Sequence, residues 1–436
     1  SWNTTVKTGD FTAVAGEGYF VNTTSGQITV TLPSSPSAGA VVAVKDYANT
    51  WDTNNCILDR NGSNIGGLAL NTILSEEGLA ITLVYVDATK GWLVTDSGLQ
   101  SEAPGPLYVA ATGGTITTAP CGDFKIHTFT GPGTFCVSSA GNAAGNNQLE
   151  YIVVAGGGAG GGRYLAGGGG AGGFRFASPS LAPLTYPAKP LAAPAGITAT
   201  ATGYPIVIGG GGTGNSCGGA TDSTPGSNSV FSTITSAGGG HGKQDQANPP
   251  APTGGPGGSG GGGGGGCGTS YGAGAGNTPP VSPSQGNDGG AGNQSSGPTP
   301  KCGPNFSPGN PYVPGGGGGA IAVGGTGIKN PGQAGTVGAG GAGAGVPNLF
   351  GTSGQNCGSN YYFAGGGGGS GTTCAYTTAP GAGGIGGGAA GNRNAPATAG
   401  TTNTGGGGGG TDGRSSPAFG GNGGSGIVII RYKFQN

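Results

Sequence analysis

Methionine is missing from all 436 residues, only 7 % of residues are charged, and no apolar run approaches the ~18 residues of a membrane-spanning helix. The last absence excludes a helical membrane insertion. The formal net charge is −1 and there is no basic stripe, which argues against a nucleic-acid partner. Scarce charge also argues against a solvated tail, because disordered chains usually rely on high net charge. The eight cysteines include no CxxC pair, and the two histidines, His127 and His241, lie far apart. Zinc-ligand spacing is therefore absent, and no metal or other cofactor is expected. No segment keeps helical periodicity over several turns. Beginning at Ser1 without methionine, the chain reads as a processed product or a fragment of a longer one.

Glycine supplies 111 residues and proline 31, together about a third of the chain against roughly 12 % in ordinary proteins. Blocks such as the one at 261–266 break the every-third period that collagen needs. Roughly ten glycine tracts recur between 156 and 426. A glycine strand has no side chain to bury, and in a helix each glycine costs ~1 kcal/mol against alanine. Polyproline II suits glycine better. It has three residues per turn, rises ~3.1 Å per residue and makes no internal hydrogen bonds, so its backbone groups are free to bond neighbours. Ordering the backbone costs ~1–2 kcal/mol per residue, so dense packing, disulfides and clamped ends are expected to hold such tracts together. The alternative, a flexible linker, leaves unexplained the intervening segments rich in Tyr, Phe, Pro and Cys. GGGAGGG at 156–162 follows a strand as a phosphate loop does, but no Gly-Lys-Ser/Thr accompanies it.

Composition changes near residue 100. All three tryptophans, Trp2, Trp51 and Trp92, precede it, as do the alternating runs QITVTL (27–32), VVAV (41–44) and ITLVYV (81–86). These read as short antiparallel strands, with Asn61-Gly62 as a hairpin turn. The expected organisation is a β-sandwich-like module over 1–98, a linker over 99–106, and a second domain over 107–436. In that domain FKIHTF (124–129), the run 149–155 and the closing IVII (427–430) are strands. A last strand so apolar needs partners. Those at 124–129 and 149–155 are the expected ones, so that 124–155 and 427–434 frame the tracts 156–426. The expected fold is an all-β N-terminal module plus a β-framed glycine-rich domain of packed polyproline II helices, with essentially no α-helix.

Cysteines in weakly hydrophobic, glycine-rich sequence suit disulfides in an extracellular setting. The nearest-neighbour pairs are Cys121/Cys136 and Cys357/Cys374, each closing a loop worth ~3 kcal/mol in the chain-entropy model. The alternative is free thiols, foremost Cys56 in the apolar run CILD.

Residues 11–13 (FTA), 18–21 (GYFV), 28–33 (ITVTLP), Ala38-Gly39, Asp46, 54–67 (NNCILDRNGSNIGG) and the late LVYV…GW ending at Trp92 resemble a β module of phage tail fibres. The resemblance covers roughly the first 95 residues. FTGPGTFCV, EYIVVAGGGAGGG and GGNGGSGIVIIRYKF are similar to the glycine-rich receptor-binding domain at the end of phage fibres and adhesins. That resemblance implies a stack of polyproline II helices whose intervening loops gather at a tip and choose the host surface. It also implies a homotrimer, other tail proteins as partners, and a place in the virion. The interior, 174–419, matches only in style.

Binding usually lives in loops. The aromatic-bearing loops are 301–314, 346–363 and 372–380, and the candidate receptor-binding residues are Tyr312, Phe350, Tyr361, Tyr362, Phe363 and Tyr376. The competing reading is that these rings cover the flanks of the stack. Between 156 and 426 the only acids, Asp222, Asp245, Asp288 and Asp412, stand alone, so no paired carboxylates mark a glycosidase. His127 reads as a surface or packed strand residue. The expected function is therefore non-enzymatic recognition of a host cell-surface glycan or outer-membrane protein. The rival is a structural extracellular filament or matrix protein, and an ice-binding bundle is a third reading.

Overall fold

The computed structural model describes residues 1–435 except 100–105, 164, 182–184, 216–222, 245–252, 266–270, 294–311, 331–333, 373–377 and 414–417. The chain divides into two compact units, Ser1–Gly105 and Pro106–Asn436. Among the described residues there is no α-helix.

The first unit holds β1 (Trp2–Lys7), β2 (Phe11–Thr12), β3 (Glu17–Val21), β4 (Ile28–Thr31), β5 (Val41–Asp46), β6 (Cys56–Asp59), β7 (Thr72–Leu74), β8 (Leu79–Asp87) and β9 (Gly91–Leu99). They form two sheets, ordered β1-β3-β5-β8-β9 and β2-β4-β6-β7. The expected antiparallel pairing is corrected here. β1, β3 and β5 pair in parallel, as do β2, β4 and β6, and only the pairs made by β7, β8 and β9 are antiparallel. Successive strands alternate between the sheets, so the chain winds as a coil before it doubles back. Alternate residues from both sheets, among them Val30, Val44, Leu58, Leu83 and Trp92, meet in one core with Trp51 from the connection between β5 and β6. Asp46 pins the coil: its Oδ2 accepts the backbone N–H groups of Thr50, Trp51 and Gly78 at 3.0–3.1 Å. Asn61 and Gly62 both take positive φ, as their turn chemistry suggested, but the connection they sit in spans all of 60–71.

The second unit begins with β10 (Val109–Thr112), β11 (Thr115–Thr118), β12 (Phe124–Phe129), β13 (Gly133–Ala140) and β14 (Gln148–Val154). Then come β15 (Phe174–Ala177), β16 (Ala192–Ala193), β17 (Ile197–Thr198), β18 (Gly203–Val207), β19 (Ser229–Phe231) and β20 (Ile234–Ser236). Late in the chain lie β21 (Ala344–Pro347), β22 (Gln355–Cys357), β23 (Asn360–Phe363), β24 (Asn392–Arg393), β25 (Thr411–Asp412) and β26 (Ile427–Lys433). β26 slots antiparallel between β12 and β14, pairing Phe124 with Lys433 on one side and Tyr151 with Ile430 on the other. The terminal strand thus closes the frame as its sequence required.

Both faces of this central sheet are covered, which is why β14 and β26 read as unbroken apolar runs. Tyr151, Val153, Val428 and Ile430 face the sheet β10-β13-β18-β19-β20 through Phe135, Tyr204 and Phe231. Ile152, Val154, Ile427 and Ile429 face the opposite way, onto Phe174, Phe176, Val346, Phe350 and Phe363. One charged pair crosses the sheet. Arg431 bonds Glu150, its cross-strand partner, and donates to Ser180 Oγ at 2.9 Å, with its guanidinium 3.7 Å from the Phe124 ring centre. Glu150 in turn accepts the Ser180 N–H at 2.7 Å.

Between β14 and β26 the glycine runs pack side by side. Their bonding repeats every three residues. Gly156, Gly157 and Gly158 donate to Ser227, Gly424 and Gly170; Ala159, Gly160 and Gly161 donate to Thr224, Gly421 and Gly167, all at 2.8–3.2 Å. This run thus serves three neighbours in rotation, the periodicity of polyproline II. Run 167–173 is the centre. It donates to 237–243, 315–318 and 405–408, and accepts from 158–161, 259–262 and Gly367. Those six surrounding runs also bond to one another around the ring, through Gly239 to Gly156, Gly240 to Ser259, Gly315 to Gly263, Gly317 to Gly367, Gly407 to Gly365 and Gly408 to Gly158. Among the described residues eleven further runs lie outside them, at 209–215, 223–228, 253–257, 271–276, 285–292, 322–328, 336–343, 378–385, 386–392, 398–401 and 420–426. The array is a hexagonal lattice with one outer corner, beside 237–244, unfilled among the described residues.

Glycine is required by contact. A Cβ built on Gly168 falls onto the carbonyl oxygen of Gly367, whereas one on Gly210, at the rim, meets nothing within 4 Å. Gly168→Ala should therefore lower stability by at least ~2 kcal/mol and Gly210→Ala by less than ~0.5 kcal/mol, read from urea midpoints. Equal effects would refute the lattice. Glu150→Gln, which strands a buried guanidinium, should cost about 3–5 kcal/mol, and adding Arg431→Met should recover much of it.

Candidate functional site

Because the runs go back and forth, their turns fall into two groups. At one end they join the β-frame: Ala155 donates to Gly173, Phe174 to Gln285, Ala320 to Ala364 and Gly426 to Gly209. At the other end lie 163, 165–166, 329–330, 334–335 and 393–397, with the described ends of the other runs. Their flanking residues bond to one another: Gly161 to Gly167, Gly167 to Lys243, Gly265 to Leu165, Ser370 to Ala166, Thr411 to Gly161 and Gly420 to Asn215. β10 enters the frame from the far side, since Val109 pairs with Ala140 while Gly133, at the other end of β13, pairs with Ile206 just before run 209–215. Chain entry and the gathered turns thus occupy opposite poles of this unit.

The turn at 163–166 joins the central run to its neighbour, so it caps the middle of the lattice. Leu165 there is buried, with φ of 48°, and its N–H donates to Asp412 Oδ1 at 3.4 Å. Asp412 is fully buried. Arg393 on β24 is its cross-strand partner, and Arg163, Lys243, Lys329 and Arg393 are all half-buried. Arg393 Nη1 donates to the Thr378 carbonyl at 3.5 Å.

The six aromatic candidates separate. Tyr312 borders the gathered turns and is half-buried, and Tyr376 lies outside the described residues. Phe350 and Phe363 are 1 % exposed, core residues of the frame, with Phe350 5.5 Å from Phe176. Burial leaves them no free ring face, which corrects their reading as contact residues. Tyr361 and Tyr362 are half-buried on β23, at the frame end. The whole segment 346–363 therefore covers the central sheet and is not part of the gathered turns. Its apolar residues were the available signal: Val346 on β21 and Phe363 on β23 lie on paired antiparallel strands and are both buried in the core.

The disulfide expectation is also corrected. Cys56, Cys121, Cys136 and Cys357 are free thiols, while Cys374 lies outside the described residues. Cys121 sits in the turn before β12 and Cys136 in β13, on different sheets. Burial pushes the Cys56 thiol up to about 12.

Other candidates have structural work. Asp288 Oδ1 accepts the Gly276 N–H at 2.7 Å, and Asn287 Nδ2 donates to the carbonyls of Gly319 and Ala320. His241 stands at the unfilled corner, its ring beside Gly255. Among the described residues no three His, Cys, Asp or Glu side chains are placed to share a metal ion. His127 is fully buried. Its Nδ1 donates to the Gly113 carbonyl at 2.7 Å and its Nε2 accepts from Tyr432 Oη at 3.1 Å. Burial holds its pKa below the ordinary value of 6.5, against the opposing pull of the Gly113 bond.

The glycine-rich domain family model matches residues 130–433, and the chain belongs to that family. No curated protein matches the chain.

Folded His127 stays neutral where unfolded histidine takes up a proton. Stability should thus fall as pH drops below about 6.5, and His127→Gln should flatten that slope in urea titrations between pH 5 and 8.

Proposed function

We propose that this member of the glycine-rich domain family is a non-enzymatic receptor-binding protein of a phage tail fibre. Its gathered turns recognise a glycan or outer-membrane protein on the host cell. The observation that supports this reading is the polarity of the second unit, which brings the described ends of its glycine runs together at the pole away from chain entry. A lattice packed on backbone contacts, with only small side chains such as those of Ala159, Ala171 and Ser259 among its buried glycines, is a stiff support, and stiffness limits the entropy lost when turns engage a surface. The fibre works as a homotrimer in the virion, joined to other tail proteins, and repeated weak contacts sum to firm attachment.

A lateral filament is the second reading. It draws on one flank of the lattice, where adjacent runs 322–328, 336–343 and 378–385 carry no charged residue and expose Val323 and Ile328. Mass in solution and negative-stain images separate the two, since a filament grows without a fixed copy number.

Replacing 294–311 with a Gly/Ser segment of equal length should abolish capture of host bacteria by the full chain. The same exchange over 351–359, at the frame end, should leave capture intact. Loss in the second variant alone would place recognition at the wrong pole and sink the reading.

A further inference from the structure

The first unit has one apolar sheet face left open among the described residues. In the sheet β1-β3-β5-β8-β9 alternate residues fill the core, and the others turn outward. Cross-strand pairing sets the outward ones in rows, with Trp2, Gly18 and Ala43 in one and Val41, Val84 and Leu93 in another. The Trp2 ring lies across Gly18, where a Cβ would come within 2.7 Å of it, and 5.1 Å from the Phe20 ring, yet it stays 49 % exposed. The unit carries four basic and ten acidic residues, but this face carries only Lys45 and Asp96, one of each sign. Across the module, the outer face of the β2-β4-β6-β7 sheet sets Thr12, Thr31 and Asp59 in one row. A sheet with one face in water normally places polar residues there, so the apolar face calls for a cover.

We infer that copies of this chain meet through this face, three around one axis; the inference rests on the homotrimer of the reading above and names its contact surface. Five strands at ~4.8 Å span ~19 Å, and the five residues of β3 at ~3.3 Å extend ~17 Å, a plane of about 320 Å². Open apolar patches of a few hundred Å² mark interaction surfaces. Three such planes amount to about 1,000 Å² before side-chain relief is added, the area a specific interface needs. A triangle with ~19 Å sides has its centre ~5.5 Å from each side, half of the ~10 Å between packed sheets, so three faces close on one another through side chains of this size. Charge selects the occupant. An acidic unit repels its own copies except where it bears no net charge, and this face is such a place. Lys45, on the middle strand, turns its ammonium to the Gly78 carbonyl at 2.6 Å, just before β8. The two edges differ, with Trp2 on β1 and Leu93 on β9, so each edge meets the unlike edge of the next copy and the ring closes.

The test is the mass of the full chain by sedimentation at about 10 µM, for the wild type and three variants whose strand content is checked by circular dichroism. The wild type should be a trimer. Val41→Glu/Val84→Glu puts like charges where the copies meet and should give monomers. Trp2→Ser, a change to a half-exposed ring at the edge, should raise the dissociation constant about tenfold or more, and it decides the matter if the double variant does not fold. Ile57→Glu/Ile73→Glu adds the same charge to a cross-strand pair on the outer face of the other sheet and should remain trimeric. A monomeric wild type overturns the homotrimer and the face together. Folded face variants that stay fully trimeric, or a control pair that dissociates as readily, overturn the face alone. Mass is read without host cells, so recognition of a host surface stands or falls separately.

Discussion

Peptide groups buried away from water must be paired, and here they are paired between segments that have no side chains to keep them apart. That constraint governs the second unit. Interior runs turn their N–H groups toward three neighbours in rotation and receive bonds from others, so run 167–173 is bonded by six surrounding runs. The approach is so close that a single methyl group at Gly168 would occupy a neighbour's carbonyl. Glycine, which has most to lose in entropy on ordering, is the residue that the geometry demands.

Such an array has little apolar surface of its own, so its ends must be held. The β-frame does this. β14 leads into the first run, β26 leaves the last, and the two are adjacent strands of one sheet, buried on both faces. The Glu150–Arg431 pair sits where they meet, inside the sheet, with Ser180 and the Phe124 ring completing the surroundings of the guanidinium. The described cysteines take no part, since all are free. Among the described residues, clamping is done by strand pairing where cross-links were expected.

The frame was legible because unbroken apolar runs at 149–155 and 427–430 have only one comfortable place, the middle of a doubly covered sheet. The lattice was legible only in kind. Runs such as 223–228 and 398–401 hold few glycines, yet their backbones bond like the rest, because at the rim only one side of a run faces neighbours. Winding of the first unit was hidden, since short alternating strands look alike whether they pair with the next strand or the next but one. The aromatic segment 346–363 misled for a related reason: Phe350 and Phe363 are spaced like residues of a loop, and their burial depends on a sheet assembled from strands nearly 200 residues away. Which residues end at the pole away from chain entry is set by position in the lattice, which no local pattern encodes. Arg163 gains its central place only because the run that follows it is the one surrounded on every side.

Bonding that rotates by a third of a turn per residue has a consequence for how such a chain can change over generations. One extra residue inside an interior run would swing every later amide to the wrong neighbour, and two would do the same the other way. Only a triplet restores the phase, so lineages should lengthen or trim these runs by threes, while the segments between them drift freely in size.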